Sequence, residues 1–275
     1  MKNMVHIGDK LRRTFYMLKT ETQKIEKVVS LLDKARRIFF ITGAGISADS
    51  GLPTYRGIGG LYNTNTTDEG ISIETALSGK MMEEDPAVTW KYLAQMEEAC
   101  RAATYNRAHE VIAKMESVFE EVWVLTQNID GFHQAAGSAN VIDIHGDIHK
   151  LICMECGYNK EVKDYSALDE IPPRCPDCGG IVRPGVVLFG ESLPQDRCEI
   201  LMCEWQKGFD IVFSVGTTSV FPYIAQPVME AKRRGIPAVE INPGETGVSH
   251  IVDIKIKGKA AEILDEIWKS GFIKS

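Results

Sequence analysis

Two patterns in this chain place reactive residue types at spacings that could do chemistry. The first is Ile38-Phe39-Phe40-Ile41-Thr42-Gly43-Ala44-Gly45-Ile46-Ser47-Ala48, an apolar run that stops at closely spaced glycines. It reads as a buried strand, a tight turn and the start of a helix. Gly43-x-Gly45-x-x-Ala48 fits the dinucleotide fingerprint with alanine in its third position. Glycines there let the backbone approach a pyrophosphate, and the helix N-terminus turns free N–H groups and its positive dipole end toward it. A tight strand-to-helix connection with no ligand is the alternative. The second pattern is Cys153-x-x-Cys156, an eighteen-residue spacer and Cys175-x-x-Cys178. This spacing suits a tetrahedral zinc site, with Gly157 and Gly179 giving each knuckle its backbone freedom. Four thiolates close the coordination sphere, so such a zinc would be structural, not catalytic. Two disulfides are the alternative. Cys100, Cys198 and Cys203 lie outside the pattern and read as ordinary cysteines.

The elements that must position these groups follow from the periodicity. Residues 8–36 carry Leu11, Phe15, Leu18, Ile25, Val28, Val29 and Leu32 at helical spacing among many charges, which predicts an N-terminal helical extension over 1–36. Residues 57–70, rich in Gly, Asn and Thr, read as a loop that could cover a ligand, and 72–118 as mainly helical with Pro86 near a helix start. Further strands are predicted at 122–125, 141–144, 211–215, 238–241 and 251–256, several ending in polar or glycine-bearing loops. Loops at the carboxyl ends of parallel strands are where open α/β sheets place their ligands. The predicted fold is therefore α/β: a Rossmann-like, mostly parallel sheet with helices on both faces, formed by 37–145 and 186–275. A cofactor loop and helical insertion would occupy 57–118, and a small zinc module 146–185 is inserted in the sheet domain.

Composition narrows the function classes. The chain has 275 residues, is 44% hydrophobic and 25% charged, and carries a formal net charge of −7. A nucleic-acid partner wants a basic face, so that class is set aside; an acidic surface weakly favours basic, lysine-bearing partners. No apolar run is long enough to span a bilayer, and residues 1–6 lack the apolar core of a signal peptide. The expectation is a cytoplasmic monomer without membrane contact. An ordinary dehydrogenase is disfavoured, because an acidic residue ending a second strand roughly 20 residues after the glycine turn should hold the ribose. Here Asp68 and Glu69 follow a loop, not a strand. The Asn242-Pro243-Gly244 turn is the natural substitute, and such unusual binding suits a dinucleotide that is consumed.

From residue 38 to 262 the blocks Gly43-Ala44-Gly45-Ile46-Ser47, Gly51-Leu52-Pro53-Thr54-Tyr55-Arg56, Thr126-Gln127-Asn128-Ile129-Asp130, His145-Gly146, the four cysteines, Val186-Val187-Leu188-Phe189-Gly190-Glu191, Gly216-Thr217-Thr218 and Asn242-Pro243-Gly244 occur in one order. In that order the chain resembles the sirtuins, NAD-dependent protein lysine deacylases of the bacterial type. The resemblance implies removal of an acyl group from lysine at the expense of NAD, giving nicotinamide, O-acyl-ADP-ribose and free lysine. It implies that Gly43, Ala44, Gly45, Ile46, Ser47, Pro53, Thr54, Tyr55 and Arg56 bind NAD, with Ser47 and Arg56 near ribose and phosphates. Gln127 would lie near the ribose and Asn128 and Asp130 at the nicotinamide, with Ile129 also in the NAD site. Gly216, Thr217, Thr218, Asn242, Pro243, Gly244 and Ala260 would complete the NAD site. His145 would be the general base, a role that suits a side chain titrating near neutral pH. The remaining histidines, His6, His109, His133, His149 and His250, read as structural or surface residues.

The same resemblance makes Val186, Val187, Leu188, Phe189 and Gly190 the segment beside which an acyl-lysine peptide adds as a strand, opposite the loop after Gly216. Val187 and Phe189 would flank the acyl tunnel, with Trp90, Leu93 and Met96 nearby. Leu52, Tyr55, Asp147 and Gly185 depart from the residues commoner in the family. More tellingly, Tyr92-Leu93-Ala94-Gln95 lacks the arginine with which succinyl- and malonyl-selective members pair the acyl carboxylate, which predicts acetyl or other neutral acyl groups. Two rivals stand beside deacylation: protein mono-ADP-ribosyl transfer from the same NAD site, and a non-catalytic NAD sensor that binds partners through the zinc module.

Overall fold

A computed structural model describes residues 20–53 and 67–272. The predicted features at 1–19 and 54–66, among them Thr54, Tyr55, Arg56, His6 and most of the glycine-rich loop, lie outside the described residues. A helix over residues 20–32 (α1) turns Ile25, Val28 and Leu32 inward. Then follow β1 (Arg37–Thr42), α2 (Ala44–Ser47), α3 (Ile73–Ala76), α4 (Gly79–Glu84), α5 (Pro86–Arg101) and α6 (Arg107–Met115). Next come β2 (Glu121–Thr126), α7 (Phe132–Ala135), β3 (Val141–Asp143), β4 (Gly146–Cys153), β5 (Asn159–Glu161) and β6 (Val182–Val186). The chain ends with α8 (Gln195–Lys207), β7 (Ile211–Val215), α9 (Pro222–Arg234), β8 (Ala238–Ile241), β9 (Ile254–Ile256) and α10 (Ala260–Phe272).

The main sheet has six strands in the order β3-β2-β1-β7-β8-β9, every pair parallel. This is the doubly wound order, with its reversal point between β1 and β7. Two apolar layers cover it. Phe40 and Phe213 stack at 4.8 Å on the face shared with α1, α6 and α10, while Phe39 packs on Trp205 and Phe209 on the other. Strands buried on both faces read as continuous apolar runs, which is why β1 and β7 are plain in the sequence.

Three elements differ from the sequence-based expectation. The helix after the glycine turn is a single turn, followed by a tight turn over Ala48–Ser50 that ends at Gly51 with φ +88. Short polar Ser47, Asp49 and Ser50 support helices poorly, and the left-handed glycine followed by Pro53 stops propagation. The last strand spans 254–256 only, because Asp253 turns back to accept the Ala238 N–H (3.0 Å) and meets Lys232. Finally, the helical insertion and the cysteine-bearing sheet β5-β4-β6 share one apolar core: Leu77, Met82, Trp90 and Leu93 pack with Ile148, Leu151, Val182 and Leu188. Trp90 donates its indole N–H to the Val182 carbonyl at 3.0 Å. It is therefore the bolt between the two insertions, not a tunnel residue.

Under β1 and β2, two histidines are buried against each other with ring centroids 4.9 Å apart. His109 caps α6 by accepting the Asn106 N–H, and His133 Nε2 meets the Thr42 hydroxyl at 3.0 Å. Burial lowers the His109 pKa to about 4 and pushes His133 well below the usual range. The unfolded chain takes up protons that the fold refuses, so this contribution to stability is present above about pH 6.5 and lost as pH falls toward 4. For His109 it is about 3 kcal/mol, from a pKa moved to about 4. His109→Gln, which keeps a side-chain acceptor at the cap, is expected to flatten the decline in denaturation midpoint between pH 6.5 and 4. An unchanged slope would mean that His109 does not carry the effect.

Candidate active site

The loops that leave β1 and β7 meet at the point of sheet reversal. Gly45 N–H donates to the Gly216 carbonyl at 2.8 Å, and Gly43 N–H to Val215 O at 3.3 Å. A Cβ on Gly45 would stand 2.6 Å from Gly216 O and 2.7 Å from Gly216 Cα; one on Gly43 would stand 2.9 Å from Thr217 Cβ. The glycines thus serve loop-against-loop contact first. Within the one-turn α2, Gly45 N–H is spent on Gly216 O and Ile46 N–H on Gly43 O (3.0 Å), so the helix start offers fewer free N–H groups than the sequence-based expectation. The Ile46 side chain is wholly buried in the apolar core.

Two adjoining cavities open beside this contact. The larger, about 750 Å³, is lined by Gly43, Ala44 and Gly45, by Gln127, Asn128 and Ile129, and by His145. Its walls also include Val186 through Gly190, Gly216, Thr217 and Thr218, Asn242, Pro243 and Gly244, and Ala260. Leu93 and Met96 reach it from α5. The smaller, about 330 Å³, is lined by Ser47, Pro53, Tyr92, Gln95, Cys100, Asn128 and Asp130 among others. Ala44, Leu77, Met96, Asn128 and Ile129 belong to both walls.

Between the cavities lies a buried polar network. Ser47 Oγ donates to Asp130 Oδ2 at 2.7 Å, and Asn128 Nδ2 donates to Ser47 Oγ at 3.1 Å and Gly43 O at 3.3 Å. Asp130 Oδ1 accepts the Phe132 N–H at 3.0 Å, yet burial still raises its pKa above the ordinary carboxylate value. Ser47 therefore belongs with Asn128 and Asp130. On the other side, Gln127 Nε2 reaches Thr217 Oγ1 at 2.7 Å, and Asn242 Nδ2 holds Thr217 O at 3.1 Å. Asn242 Oδ1 also accepts the Gly244 N–H at 3.0 Å, so its side chain shapes the turn.

His145 follows β3 with its ring set between two partners. Nδ1 lies 2.9 Å from Gln127 O, and Nε2 lies 2.7 Å from the Tyr223 hydroxyl. Burial lowers the His145 pKa, so its imidazole is neutral at pH 7. Tyr223 and its stacked neighbour Phe221 also line the larger cavity, and sequence reading missed both. Phe221-Pro222-Tyr223 begins α9 and looks like an ordinary helix start; only folding brings it to His145.

The segment after β6 is held more tightly than a free sheet edge. Val187 N–H donates to His145 O (2.9 Å), Leu188 N–H to Glu191 Oε2 (2.8 Å) and Phe189 N–H to Leu77 O (2.9 Å). Arg183 clamps it from behind, pairing with Glu191 and donating to Val186 O at 2.6 Å. Of the expected extended run, Val186 alone is in a strand, and the three following amides are already committed.

The four cysteines converge. Their Sγ atoms all lie within 4.8 Å of one another, with Cys153–Cys178 at 3.5 Å and Cys156–Cys175 at 3.6 Å. A disulfide needs sulfurs about 2.05 Å apart, and all four cysteines are free thiols here. Tetrahedral zinc, with ligands at about 2.3 Å, places sulfurs about 3.8 Å apart, and this set fits it. The Glu155 N–H points at Cys153 Sγ (3.4 Å), a contact that favours the thiolate form of that side chain.

The Sir2 family profile matches residues 43–222, and sequence relatives agree along most of the chain. The chain belongs to the Sir2 family. An NAD-dependent protein deacylase 2 of Pseudomonas aeruginosa is 50% identical over 245 residues, 88% of this chain and 95% of that one. An NAD-dependent protein deacylase of Aquifex aeolicus is 39% identical, covering 84% of this chain and 93% of its own. Among solved structures, a Sir2 homologue–NAD complex superposes with a TM-score of 0.81 at 35% identity, over 90% of this chain and 93% of that one. A Sir2–p53 peptide–NAD+ structure superposes at 0.78 and 28% identity, over 91% and 99%. No helix among the described residues of this Sir2-family chain is long and apolar enough to cross a membrane.

The loop contact gives this Sir2-family site a direct test. Gly45→Ala is expected to cost about 1–3 kcal/mol in chemical denaturation, because the added methyl meets rigid backbone. Gly244→Ala, whose Cβ would meet only Asn242 Oδ1 at 3.8 Å, is expected to be much milder. Equal costs for the two would refute the role given to the contact.

Proposed function

We propose that this chain is an NAD-dependent protein lysine deacylase, releasing nicotinamide, O-acyl-ADP-ribose and free lysine, and that it acts in the cytoplasm as a monomer with one structural zinc. One observation carries the reading: a single cavity of about 750 Å³ joins the glycine loop, the Gly216–Thr218 loop, the Asn242–Gly244 turn, His145 and the Val186–Gly190 segment. That arrangement has room for a dinucleotide and an extended peptide whose reactive ends meet near His145. The relatives from Pseudomonas aeruginosa and Aquifex aeolicus are NAD-dependent protein deacylases, which supports the same reading.

NAD supplies the electrophilic ribose carbon that takes the acyl oxygen as nicotinamide departs. The chain's own residues then have separable tasks. Asn128, Asp130 and Ser47 form a polar end suited to hydrogen-bonding a carboxamide. His145, neutral and with its Nδ1 proton directed at Gln127 O, offers Nε2 to accept a proton from a ribose hydroxyl. The apolar walls from Leu93, Met96, Val187 and Phe189 exclude water from the acyl group. Acyl preference follows from charge. Position 95 is Gln, and the Tyr92 hydroxyl is engaged by Glu69, beside Asp68. A carboxylate-bearing acyl group would find no cation at position 92 or 95, and the neighbouring Lys91 ammonium is already paired with Asp68 (2.9 Å) and Glu69 (2.7 Å), so acetyl and longer neutral groups are preferred.

The deciding experiment incubates acetyl-, longer-acyl- and succinyl-lysine peptides with NAD and scores nicotinamide and O-acyl-ADP-ribose. Neutral acyl groups are expected to turn over fastest, and faster succinyl removal would overturn the preference. His145→Ala is expected to lose about 10²-fold or more of deacylation. Because His145 titrates below its ordinary value, the acid limb of kcat/KM is expected below about pH 6.5. Mass gain on a target protein without acyl loss would favour ADP-ribosyl transfer, and undiminished biological activity in His145→Ala would favour the sensor.

A further inference from the structure

The ring of His145 is committed on both sides. A carbonyl oxygen can only accept, so the 2.9 Å contact with Gln127 O places the proton on Nδ1. Nε2 is left as an acceptor with one in-plane lone pair, and the Tyr223 hydroxyl donates to it at 2.7 Å. A ribose hydroxyl that is to surrender its proton to Nε2 needs that same lone pair. The two hydroxyls cannot hold it together.

The surroundings favour exchange over a fixed bond. Tyr223 stands in the first turn of α9, and its ring stacks on Phe221 with centroids 5.5 Å apart and planes 16° from parallel. The stack anchors the ring but not the hydroxyl's direction of bonding. Phe221 and Tyr223 both stand nearly perpendicular to the His145 ring, with centroids 6.1 Å and 5.9 Å away, so the imidazole has two aromatic neighbours with one polar tip between them. All three side chains line the cavity in which the dinucleotide would lie.

We infer that Tyr223 is a hydroxyl stand-in: it occupies the base nitrogen of His145 until a ribose hydroxyl of the bound dinucleotide takes its place. Tyr223 is then a positioning residue. It keeps the imidazole in the accepting tautomer and opposes ligand binding by the strength of one hydrogen bond. The inference rests on the proposed reading of His145 as the base that meets the ribose.

The test compares ADP-ribose with ADP, which lacks the distal ribose, by calorimetric titration of the full chain. Tyr223→Phe keeps the ring on Phe221 and removes only the hydroxyl. It is expected to tighten ADP-ribose binding about fivefold, the size of one net hydrogen bond, and to leave ADP unchanged. In a His145→Ala background the same substitution is expected to have no effect, since the lone pair it frees is gone. Weaker ADP-ribose binding in Tyr223→Phe overturns the inference, because it means the hydroxyl touches the ligand, as a proton relay would. Unchanged binding, or a gain that persists without His145, also overturns it. A second measurement needs no variant at Tyr223: in 15N-histidine-labelled protein, ADP-ribose but not ADP is expected to shift the His145 Nε2 resonance, and no shift counts against the exchange. Failure of the wild-type chain to bind ADP-ribose at all would sink the functional reading and the inference together. Binding without the Tyr223 effect would sink the inference alone.

Discussion

Backbone touches backbone where β1 and β7 hand over to their loops, and the rest of the site depends on that contact. Gly43 and Gly45 lie against Gly216 and Thr217 so closely that a single methyl at Gly45 or Gly216 would overlap main-chain atoms. Parallel strands splay their carboxyl ends at the reversal point of a doubly wound sheet, and a crevice there is the usual consequence. Here the hydrogen bond from Gly45 to Gly216 closes the floor of that crevice. It brings together residues from the segments that follow β1, β2, β7 and β8: Ser47 with Asn128, Gln127 with Thr217, and Thr217 with Asn242. The two cavities share walls because their floor is one structure.

Above that floor, burial sets the chemistry. The same exclusion of water that pushes the Asp130 carboxyl up pushes the His145 imidazole down. Buried polar groups persist only when they are hydrogen-bonded, and each here has its partners in place. Asp130 takes bonds from Ser47 and Phe132, and His145 is held between Gln127 and Tyr223. The network is thus preorganised before any ligand arrives, which lowers the reorganisation needed at reaction.

The two insertions supply the opposite wall and are not independent of each other. Trp90 of α5 bonds to Val182 of β6, and the Arg183–Glu191 pair holds the segment from Val186 to Glu191 in a fixed course. The cysteine cluster stands at the far end of the same small sheet, where Cys153 closes β4. A metal there would hold the ends of a sheet too small to hold itself, and through Val182 and Arg183 its order extends to the cavity wall.

Much of this was legible in sequence, and for a physical reason. Strands buried on both faces must be continuously apolar, so β1, β2, β7 and β8 stand out in the sequence. Cysteine pairs with two residues between them present both thiols to one side by local geometry alone, so the cluster needed no fold to be read. The glycine turn was legible as a place of close approach, but not what approached; that Gly216 comes first, and that α2 lasts one turn, are decided by the packing of two loops far apart in the chain. The placing of Ile46 in the core, the use of Trp90 as a bolt, and the committed amides of Val187, Leu188 and Phe189 likewise depend on partners from distant segments. Tyr223 is the clearest case. Its residue type and its place at a helix start announce nothing, and it gains meaning only because the tertiary fold carries α9 to within 2.7 Å of His145. Local spacing writes ligand type into a sequence; which hydrogen-bond acceptor is already taken is settled only when remote segments meet.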